Sequence, residues 1–350
     1  MKVLMITAGM RGGGTERVIA VLANFLAKKK NDVTIIMTSE KEVVYQLDET
    51  IKIVSLGEST GGNPIKRLKR ITGLRKYFKI DKKQVIMSFG TETNLFTLIA
   101  SVWLKNKIMI SERNDPNQCS YAFFRNLFYR LADNLIFQTE EARLCFPDKI
   151  ARKGIVIPNP LSEEMTDTFM GVRGKDIVSV GRLEPQKNHK LLLQAFQIFA
   201  GRYRDFRLVL YGKGFLLKEL QEMARELQIE ERVVFAGFTD DVKGKIQDAA
   251  MYVLSSDYEG ISNSLMEAMA LGLPVISTDC PIGGSKMLIQ HKENGLLVPV
   301  GDANALAQAM EYMVENPVRA ESMGEKAAYV KEAYSVARIC QNWYDAIGSQ

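Results

Sequence analysis

Residues 2–7 read Lys-Val-Leu-Met-Ile-Thr, and they are followed by a glycine-rich loop at residues 8–14 and an amphipathic stretch at residues 15–30. A continuous apolar run of this length predicts a strand covered on both faces, and the stretch after the loop predicts a helix. Short apolar runs and amphipathic stretches go on alternating, with further apolar runs at residues 33–37, 85–88, 107–111, 176–180 and 207–211. This alternation predicts an α/β protein built on parallel sheets.

The alternation is interrupted once, near the middle of the chain. Pro158-Asn159-Pro160 and the polar residues 162–175 break the pattern, which resumes at residue 176. A chain of 350 residues is also too long for one compact hydrophobic core. We therefore predict two doubly wound, Rossmann-like domains, residues 1–160 and 161–334, facing a central cleft.

Positive charge is concentrated in the first half of the chain, which bears on the kind of molecule that this half binds. Residues 1–160 contain 26 Lys and Arg against 15 Asp and Glu, a net +11, and the whole chain contains 46 and 41, so the remainder is net −6. This asymmetry indicates an anionic partner for the first half, such as phosphates, a membrane surface or nucleic acid. No nucleic-acid-binding module is recognisable, so nucleic acid is not an expected partner.

The cysteines and histidines bear on location and metal binding. The 4 cysteines are far apart, only 2 histidines occur, and there is no Asp-x-Asp pair, so we expect a reducing compartment and no metal site. No apolar stretch approaches the ~20 residues that a spanning helix needs. The apolar residues 3–8 are followed at once by glycines and charges, which favours a core strand over a signal peptide. We expect a cytoplasmic protein, either free or held peripherally at the inner face of the cell membrane.

Three motifs point to a nucleotide diphosphate, and the first is Gly12-Gly13-Gly14. It lies between the first strand and a helix that Thr15 can cap. Glycines let a phosphate approach the backbone, and the helix N-terminus offers N–H groups without helical partners. A plain glycine turn explains the same residues, and Glu16 repels a phosphate unless its carboxylate points elsewhere.

The second motif, Gly181-Arg182-Leu183-Glu184-Pro185-Gln186-Lys187-Asn188, follows the first predicted strand of the second domain. Ligands of open α/β sheets sit at the carboxyl ends of strands. There, Arg182 and Lys187 can both reach a diphosphate and neutralise a departing phosphate without a metal ion. A solvated basic loop is the alternative interpretation.

The third motif runs from residue 255 to residue 275 and contains two glutamates. Glu267 lies in a predicted helix, where its carboxylate can accept hydrogen bonds from the two hydroxyls of a ribose. Glu259 lies in the preceding loop, where it can hold a sugar hydroxyl or stabilise positive charge at an anomeric carbon. Two acids in such positions are also common by chance. The first N–H groups of this helix lack helical partners, and they belong to Gly260, Ile261, Ser262 and Asn263.

The second and third motifs together resemble glycosyltransferase family 4, whose members are retaining enzymes of the two-lobed GT-B fold. The resemblance covers nearly the whole chain, including residues 12–17, 157–160 and 294–298. The glutamate pair resembles the Glu-x7-Glu motif of that family. The resemblance implies that Glu267 binds the ribose, that Glu259 lies beside the donor sugar, and that Arg182 and Lys187 bind the diphosphate.

The resemblance also implies roles for residues outside these motifs. Gly13 and Gly14 are expected to face the diphosphate from the first domain, and the backbone at Phe238 is expected to meet the base. The C-terminal helix, residues 335–350, is expected to pack back on the first domain.

The sequence departs from the family at residues 111–115. Many members carry a histidine near the donor sugar there, whereas this chain reads Ser-Glu-Arg-Asn-Asp. Arg113 or Asn114 is expected to take over a hydrogen bond to the sugar. A retaining reaction on one face of the sugar does not require that histidine, since the departing phosphate oxygen can accept the acceptor's proton. We therefore include Arg113 among the catalytic candidates.

Residues 64–83 form a basic stretch that predicts an amphipathic helix. Nine Lys or Arg occur there, and the apolar residues Ile65, Leu68, Ile71, Leu74 and Phe78 recur at helical spacing. Such a helix can bury one face in its domain or in a membrane surface and present its basic side chains to anions. Alternatively, the helix packs on the core of its domain and its basic face is only solvated. Similar bacterial enzymes that extend polyprenyl-diphosphate-linked glycans carry a basic helix in this region. The resemblance therefore implies a polyprenyl-diphosphate-linked glycan as the acceptor. The expected acceptor or membrane contacts are Lys66, Arg67, Lys69, Arg70, Arg75 and Lys76.

The resemblance thus implies a metal-independent, retaining hexosyltransferase with no cofactor besides its nucleotide-sugar substrate: UDP-GalNAc, UDP-GlcNAc or UDP-Glc, with GDP-mannose as the alternative donor. A nicotinamide-dependent dehydrogenase explains the first strand, loop and helix, but Arg17 stands where its fingerprint needs a third glycine. A dehydrogenase also leaves the charged residues of the second domain without a role. A non-catalytic sugar-nucleotide or lipid-binding module would keep the same cations without turnover.

Overall fold

The computed structural model describes residues 1–57, 64–113, 115–165 and 167–348. Contacts between Cα atoms divide the chain into two units, Met1–Pro160 with Val336–Gln350 (unit 1) and Leu161–Ser335 (unit 2). Each unit is built on one parallel sheet with helical crossovers. The predicted fold class, α/β with two Rossmann-like domains, is confirmed.

In the described residues from Met1 to Pro160, unit 1 contains seven strands and six helices, which alternate for most of this length. The strands are β1 (Lys2–Thr7), β2 (Asp32–Met37), β3 (Lys52–Ser55), β4 (Val85–Phe89), β5 (Lys107–Ser111), β6 (Asn134–Phe137) and β7 (Gly154–Val156). The helices are α1 (Gly14–Lys28), α2 (Pro64–Phe78), α3 (Thr91–Ser101), α4 (Ala122–Tyr129), α5 (Glu140–Leu144) and α6 (Asp148–Ala151), and a short 3-10 helix spans Pro116–Gln118.

The sheet of unit 1 has the order β3-β2-β1-β4-β5-β6-β7. Val3 of the central strand β1 pairs with Val33 on one side and with Val85 on the other, and all three are buried. The direction of strand addition reverses between β1 and β4. The carboxyl ends of these strands therefore border a crevice of the kind in which open α/β sheets bind ligands.

Unit 2 repeats this architecture, and its described residues form six strands. These are β8 (Asp176–Val180), β9 (Arg207–Tyr211), β10 (Val233–Gly237), β11 (Met251–Leu254), β12 (Val275–Thr278) and β13 (Leu296–Val298). The helices are α7 (His189–Arg202), α8 (Leu217–Glu226), α9 (Val242–Ile246), α10 (Asn263–Ala270), α11 (Gly284–Leu288), α12 (Ala303–Glu315), α13 (Pro317–Ala327) and α14 (Val330–Ala333), with 3-10 helices at Pro185–Lys187 and Glu230–Arg232.

The sheet of unit 2 has the order β10-β9-β8-β11-β12-β13. Its core forms where the apolar side of α7, including Leu192, Phe196 and Phe199, packs on sheet residues such as Ile177 and Leu208. The direction of strand addition reverses between β8 and β11. This switch point places the loop after β8 beside the loop after β11.

The last helix, α15 (Val336–Gly348), belongs to unit 1 and packs on α1. Its Trp343 is buried, and the ring lies 5.8 Å from the ring of Phe89. Nζ of Lys107 donates a hydrogen bond to the carbonyl of Ile347 (2.8 Å). A buried tryptophan contributes a large apolar area, so these contacts hold the C-terminal helix firmly on unit 1. In the described parts of the chain, no helix combines the length and apolarity needed to cross a membrane.

Candidate active site

Two loops are hydrogen-bonded to each other at the switch point of unit 2. The N–H of Asp257, after β11, donates to the carbonyl of Gln186, after β8 (2.9 Å). Nδ2 of Asn188 donates to Oδ1 of Asp257 (2.6 Å), and Oγ of Ser255 donates to the carbonyl of Lys187 (2.9 Å). These bonds bring the second and third sequence motifs together.

Lys187 and Glu259 form an ion pair at the centre of this arrangement. Nζ of Lys187 lies 2.7 Å from Oε2 of Glu259, and the two side chains are only 13% and 14% exposed. Oγ of Ser256 donates to the same carboxylate oxygen (3.1 Å), and the N–H of Glu259 donates to the carbonyl of Pro281 (2.9 Å). Charge-assisted bonds of this kind fix both side chains in one geometry.

Arg182 lies on the same loop but is held less tightly. Its side chain is 66% exposed, and Nη1 lies 2.9 Å from Oε2 of Glu184. An exposed ion pair contributes little stability, so exchanging Glu184 for a ligand phosphate costs little. Arg182 is therefore suited to move onto an anion, whereas Lys187 is already in place.

The two glutamates of the third motif lie near a buried tyrosine that the sequence interpretation missed. Glu267 is buried in α10. The hydroxyl of Tyr252 lies 2.8 Å from Oγ of Ser264, which donates to the carbonyl of Val180 at the end of β8 (2.9 Å). Burial, reinforced by the charges of Glu259 and Glu267, holds the pKa of Tyr252 well above its ordinary value. The protonated phenol thus helps to tie α10 to the switch point.

The start of α10 is closed by a side-chain cap and by a close backbone contact. Oγ of Ser262 accepts a hydrogen bond from the N–H of Leu265 (3.4 Å), and both Ile261 and Ser262 are buried. A Cβ atom at Gly284 would overlap the carbonyl of Gly260, so only glycine lets α11 begin against this loop. The predicted donor-binding residues at the start of α10 therefore lie in a tightly packed segment.

The carboxyl ends of β9 and β10 add an aromatic ring and a cation. Phe238 is 61% exposed, and Nζ of Lys213 lies 5.4 Å from its ring centroid. The N–H of Gly212 donates to the carbonyl of Gly237 (2.7 Å), which joins the two strand ends. We predicted Phe238 from the sequence but missed Lys213, although Lys213 directly follows a predicted strand and its glycine.

An open cavity of about 800 Å³ lies beside this site, at the carboxyl ends of β11, β12 and β13. Its lining includes Asp257, Lys286 and His291, and among the described residues it includes neither Lys187 nor Glu259. The cavity therefore neighbours the predicted donor residues rather than containing them.

His189 begins α7 directly behind the second motif and is buried. In the described part of the chain, its Nδ1 has no hydrogen-bond partner. Burial, with a smaller contribution from the charge of Lys187, lowers the pKa of His189 to about 4. The folded protein therefore keeps this imidazole neutral.

We expect His189 to make the folded protein less stable in mild acid. The pKa of His189 falls from 6.5 in the unfolded chain to about 4 in the folded protein. At pH values between these two, the imidazole is mostly protonated in the unfolded chain and mostly neutral in the folded protein. Between about pH 7 and pH 5, this costs about 2 kcal/mol of unfolding free energy. Urea denaturation at the two pH values measures the loss of unfolding free energy, and His189→Gln should make this loss smaller. If the loss is the same in that variant, other titratable groups cause it.

In unit 1, the glycine motif has an internal carboxylate at its N–H groups. Oε2 of Glu16 accepts hydrogen bonds from the N–H of Gly12 (3.1 Å) and of Gly13. The hydroxyl of Tyr45 donates to the carbonyl of Gly13 (2.9 Å), and burial, aided by the charge of Glu16, raises the pKa of Tyr45 to about 12. Glu16 therefore points at the predicted phosphate donors, and Gly14 begins α1 beside it.

Arg113 lies at the end of β5 and is almost completely buried. Nη2 donates to Oδ1 of Asn159, which also accepts from Nε2 of Gln138 (2.8 Å). Within the described residues, Nε and Nη1 have no hydrogen-bond partner. Burial lowers the pKa of Arg113 to about 10, against the opposing effect of Glu112. The motif at residues 157–160 thus contributes a partner for Arg113, while Asn114 lies outside the described residues.

The basic helix α2 uses two of its predicted contact residues for packing. Arg70 is buried, with its guanidinium 3.8 Å from Glu92 and 5.5 Å from the ring centroid of Phe96. Arg75 donates from Nη1 to the carbonyls of residues 100 and 102 (2.7 and 2.8 Å), at the end of α3. Both guanidiniums hold α2 against α3, so Arg70 and Arg75 have packing roles, and their acceptor or membrane contacts remain predictions.

The other four predicted cations of α2 are exposed. The apolar positions of the helix divide into two groups, since Leu74 and Phe78 are buried whereas Ile65 and Leu68 are 64% and 61% exposed. The first turns of α2 therefore present apolar and basic side chains together. The exposed cations are Lys66, Arg67, Lys69 and Lys76.

The fold described above is that of the GT-B glycosyltransferases. The family model described as "Glycosyl transferases group 1" matches residues 165–330, which lie in unit 2. An uncharacterized glycosyltransferase of Haemophilus influenzae is 30% identical to this chain over 339 residues, which is 95% of either protein. The chain therefore belongs to the group 1 glycosyl transferases, and the dehydrogenase alternative is excluded.

Two further proteins are similar over nearly their whole length. A Campylobacter jejuni α-1,4-N-acetyl-D-galactosaminyltransferase, named for the substrate GalNAc-α-(1→4)-GalNAc-α-(1→3)-diNAcBac-PP-undecaprenol, is 27% identical over 356 residues, covering 99% of this chain and 98% of its own. The Anabaena protein HepE, crystallised with UDP and glucose, superposes with a TM-score of 0.85 at 18% identity and covers 100% of both chains. The latter similarity concerns the fold alone.

Proposed function

We propose that this chain is a retaining, metal-independent glycosyltransferase that moves a sugar from a UDP-sugar to a polyprenyl-diphosphate-linked glycan at the cytoplasmic face of the membrane. The observation that carries the proposal is the Lys187–Glu259 ion pair at the switch point of unit 2, with Arg182 on the same loop. It unites a cation suited to a phosphate with a carboxylate suited to a sugar.

The cations act on the leaving group. As the bond between the anomeric carbon and the β-phosphate oxygen breaks, negative charge builds on that phosphate. Lys187 is held in position beforehand, and Arg182 closes on the same anion from the exposed side of the loop. Fixed positive charge at this point lowers the barrier because it stabilises the transition state more than the ground state. Two such cations supply the charge that a metal ion supplies in other transferases.

The sugar is transferred with retention. The acceptor hydroxyl oxygen forms its bond to the anomeric carbon on the face from which the phosphate departs, and the hydroxyl proton passes to the departing phosphate oxygen. Glu259 stabilises the positive charge that develops on the sugar ring, and Glu267 holds the ribose. Arg113, at the end of β5, donates to a hydroxyl of the donor sugar.

The donor and acceptor classes rest on the similar proteins. HepE was crystallised with UDP, and the Campylobacter jejuni relative is named for the transfer of N-acetylgalactosamine to an undecaprenyl-diphosphate-linked glycan. UDP-GalNAc, UDP-GlcNAc and UDP-Glc are therefore the donors to test first, with GDP-mannose as the alternative. The exposed cations of α2 suit the diphosphate of a lipid-linked acceptor and the anionic surface that carries it.

We expect transfer to proceed without a divalent metal and with an α-configured product. Radiolabelled sugar transfer from each donor to a polyprenyl-diphosphate-linked acceptor should be unchanged by EDTA, because Arg182 and Lys187 supply the charge at the leaving group. NMR of the new linkage should show the configuration of the donor. Loss of activity in EDTA with recovery in Mg²⁺ or Mn²⁺, or an inverted linkage, would refute the proposed mechanism.

A further inference from the structure

Large apolar side chains on and just after α4 are exposed to solvent. They are Phe123, Phe124, Leu127 and Leu131, which are 78%, 61%, 50% and 52% exposed. Positions three, four and seven or eight apart lie on one side of a helix, so these side chains share a face. The rings of Phe123 and Phe124 contact each other edge to face, with centroids 5.7 Å apart.

Buried contacts hold this apolar face outward. On the opposite side of α4, Nη1 of Arg125 donates to the carbonyl of Pro116 (2.7 Å), and its guanidinium lies 4.3 Å from the ring centroid of Phe146. The hydroxyl of Tyr129 donates to Oε2 of Glu112 (2.7 Å). Rotating α4 to hide its phenylalanines would break these buried bonds, which is unfavourable.

An apolar face held outward indicates a partner. Each large apolar side chain left in water forgoes the favourable free energy of burial. Single exposed apolar residues are ordinary, but a contiguous group on one face marks an interaction site.

The helices beside α4 indicate the chemistry of that partner. α3 packs against both α2 and α4. In the first turn of α3, Glu92 contacts Arg70 of α2 at 3.8 Å. Glu92 also lies near Tyr121 before α4, whose pKa is raised by burial and by neighbouring charges including that of Glu92. The exposed first turns of α2 and the exposed face of α4 thus flank the same end of α3.

Together, these two segments contain both kinds of group that a charged lipid surface binds. The exposed residues 65–69 of α2 comprise two apolar and three basic side chains, and residues 1–160 have a net charge of +11 from 26 Lys and Arg against 15 Asp and Glu. Interfacial helices combine an apolar face with Lys and Arg in this way. We call residues 65–69 together with Phe123, Phe124 and Leu127 the docking face.

We propose that the docking face binds an anionic phospholipid bilayer, with the aromatic side chains of α4 inserted at the acyl-chain boundary and the cations of α2 on headgroup phosphates. This deepens the proposed function, on which it rests for the presence of a lipid-linked acceptor. The basic helix supplies long-range attraction, and α4 supplies the apolar contact that survives at high ionic strength.

Vesicle binding by the full chain tests the proposal. Replacing both aromatic residues, F123S/F124S, should weaken partition to vesicles of phosphatidylcholine and phosphatidylglycerol by at least about tenfold, since two buried rings are lost. The matched control V172S/V318S removes two similarly exposed side chains of unit 2 (94% and 79%) and should bind normally. Equal binding by F123S/F124S and the wild-type chain, or an equal loss in the control, would overturn the proposal.

Fluorescence tests insertion itself. The variant F124W/W103F moves the exposed indole of residue 103 to α4 and keeps the buried Trp343. Its emission should be quenched by lipids with brominated acyl chains, and absence of quenching on bound vesicles would overturn insertion. A dimer abolished by F123S/F124S, with vesicle binding unaltered, would instead assign the face to a second copy of the chain. Vesicle binding needs no donor, so a wild-type chain that binds vesicles but transfers no sugar would contradict only the proposed function.

Discussion

Replacing Lys187 by alanine is expected to lower the turnover of sugar transfer by roughly 10²–10³-fold, the usual loss when one preorganised charge-stabilising donor is removed. Lys187 is the less exposed of the two predicted diphosphate cations, and its ion pair with Glu259 fixes it before the donor arrives. Its removal eliminates positive charge at the leaving group and leaves Glu259 without its partner. Steady-state kinetics with the preferred nucleotide sugar will measure the change in kcat.

Three comparisons isolate the role of Lys187. Lys187→Arg retains the charge and should recover part of the lost turnover. Arg182→Ala should have a smaller effect, because Arg182 is 66% exposed and is not held in place by Glu259. Lys190→Ala removes a nearby cation that pairs with the exposed Glu219, and it should turn over normally. Near-normal kcat in a correctly folded Lys187→Ala protein would contradict the assigned role.

Reversing the four exposed cations of α2 is expected to weaken binding to anionic vesicles by about 10³-fold. Each Lys or Arg near a negatively charged membrane contributes about 1 kcal/mol, an attraction that added salt screens. The variant Lys66→Glu, Arg67→Glu, Lys69→Glu and Lys76→Glu leaves Arg70 and Arg75 in place, so the packing of α2 on α3 is retained. Sedimentation with vesicles over a range of salt concentrations measures the effect.

The matched control reverses four exposed cations near the starts of β2, β4 and β5, away from the first turns of α2. Equal charge is lost in this control, so equal weakening in both variants would show that net charge rather than α2 controls binding. If the α2 variant binds vesicles as well as the wild-type chain at every salt concentration, the basic face of α2 is a solvated surface and not a membrane contact. The control residues are Lys28, Lys82, Lys83 and Lys105.

The fold class was predictable because parallel strands buried on both faces leave continuous apolar runs, as in Lys2–Thr7 and Asp176–Val180. The proximity of Lys187 and Glu259 was expected only through the family resemblance. The two residues are separated by 72 positions and meet because β8 and β11 pair in the sheet. Strand order is a long-range property that a local pattern does not contain.

Features that the sequence does not reveal depend on contacts between elements. The packing role of Arg70 arises only because α3 packs on α2 and brings Glu92 to it. The exposure of the apolar residues of α4 follows from Arg125 and Tyr129 occupying the buried side of that helix. Lys213 was the exception, since a lysine directly after a strand and a glycine is a local signal.

The carboxylate of Glu16 gives the glycine loop of unit 1 an internal competitor. Free phosphate that reaches the N–H groups of Gly12 and Gly13 must displace a group that is tethered three and four residues away and is therefore always present. The binding free energy of the phosphate is then only the difference between its own hydrogen bonds and those of the Glu16 carboxylate. Because the carboxylate is tethered, it also has a high effective concentration at these N–H groups. We therefore expect small free anions to bind this loop weakly, and a ligand phosphate to bind there only when the ligand also has contacts elsewhere.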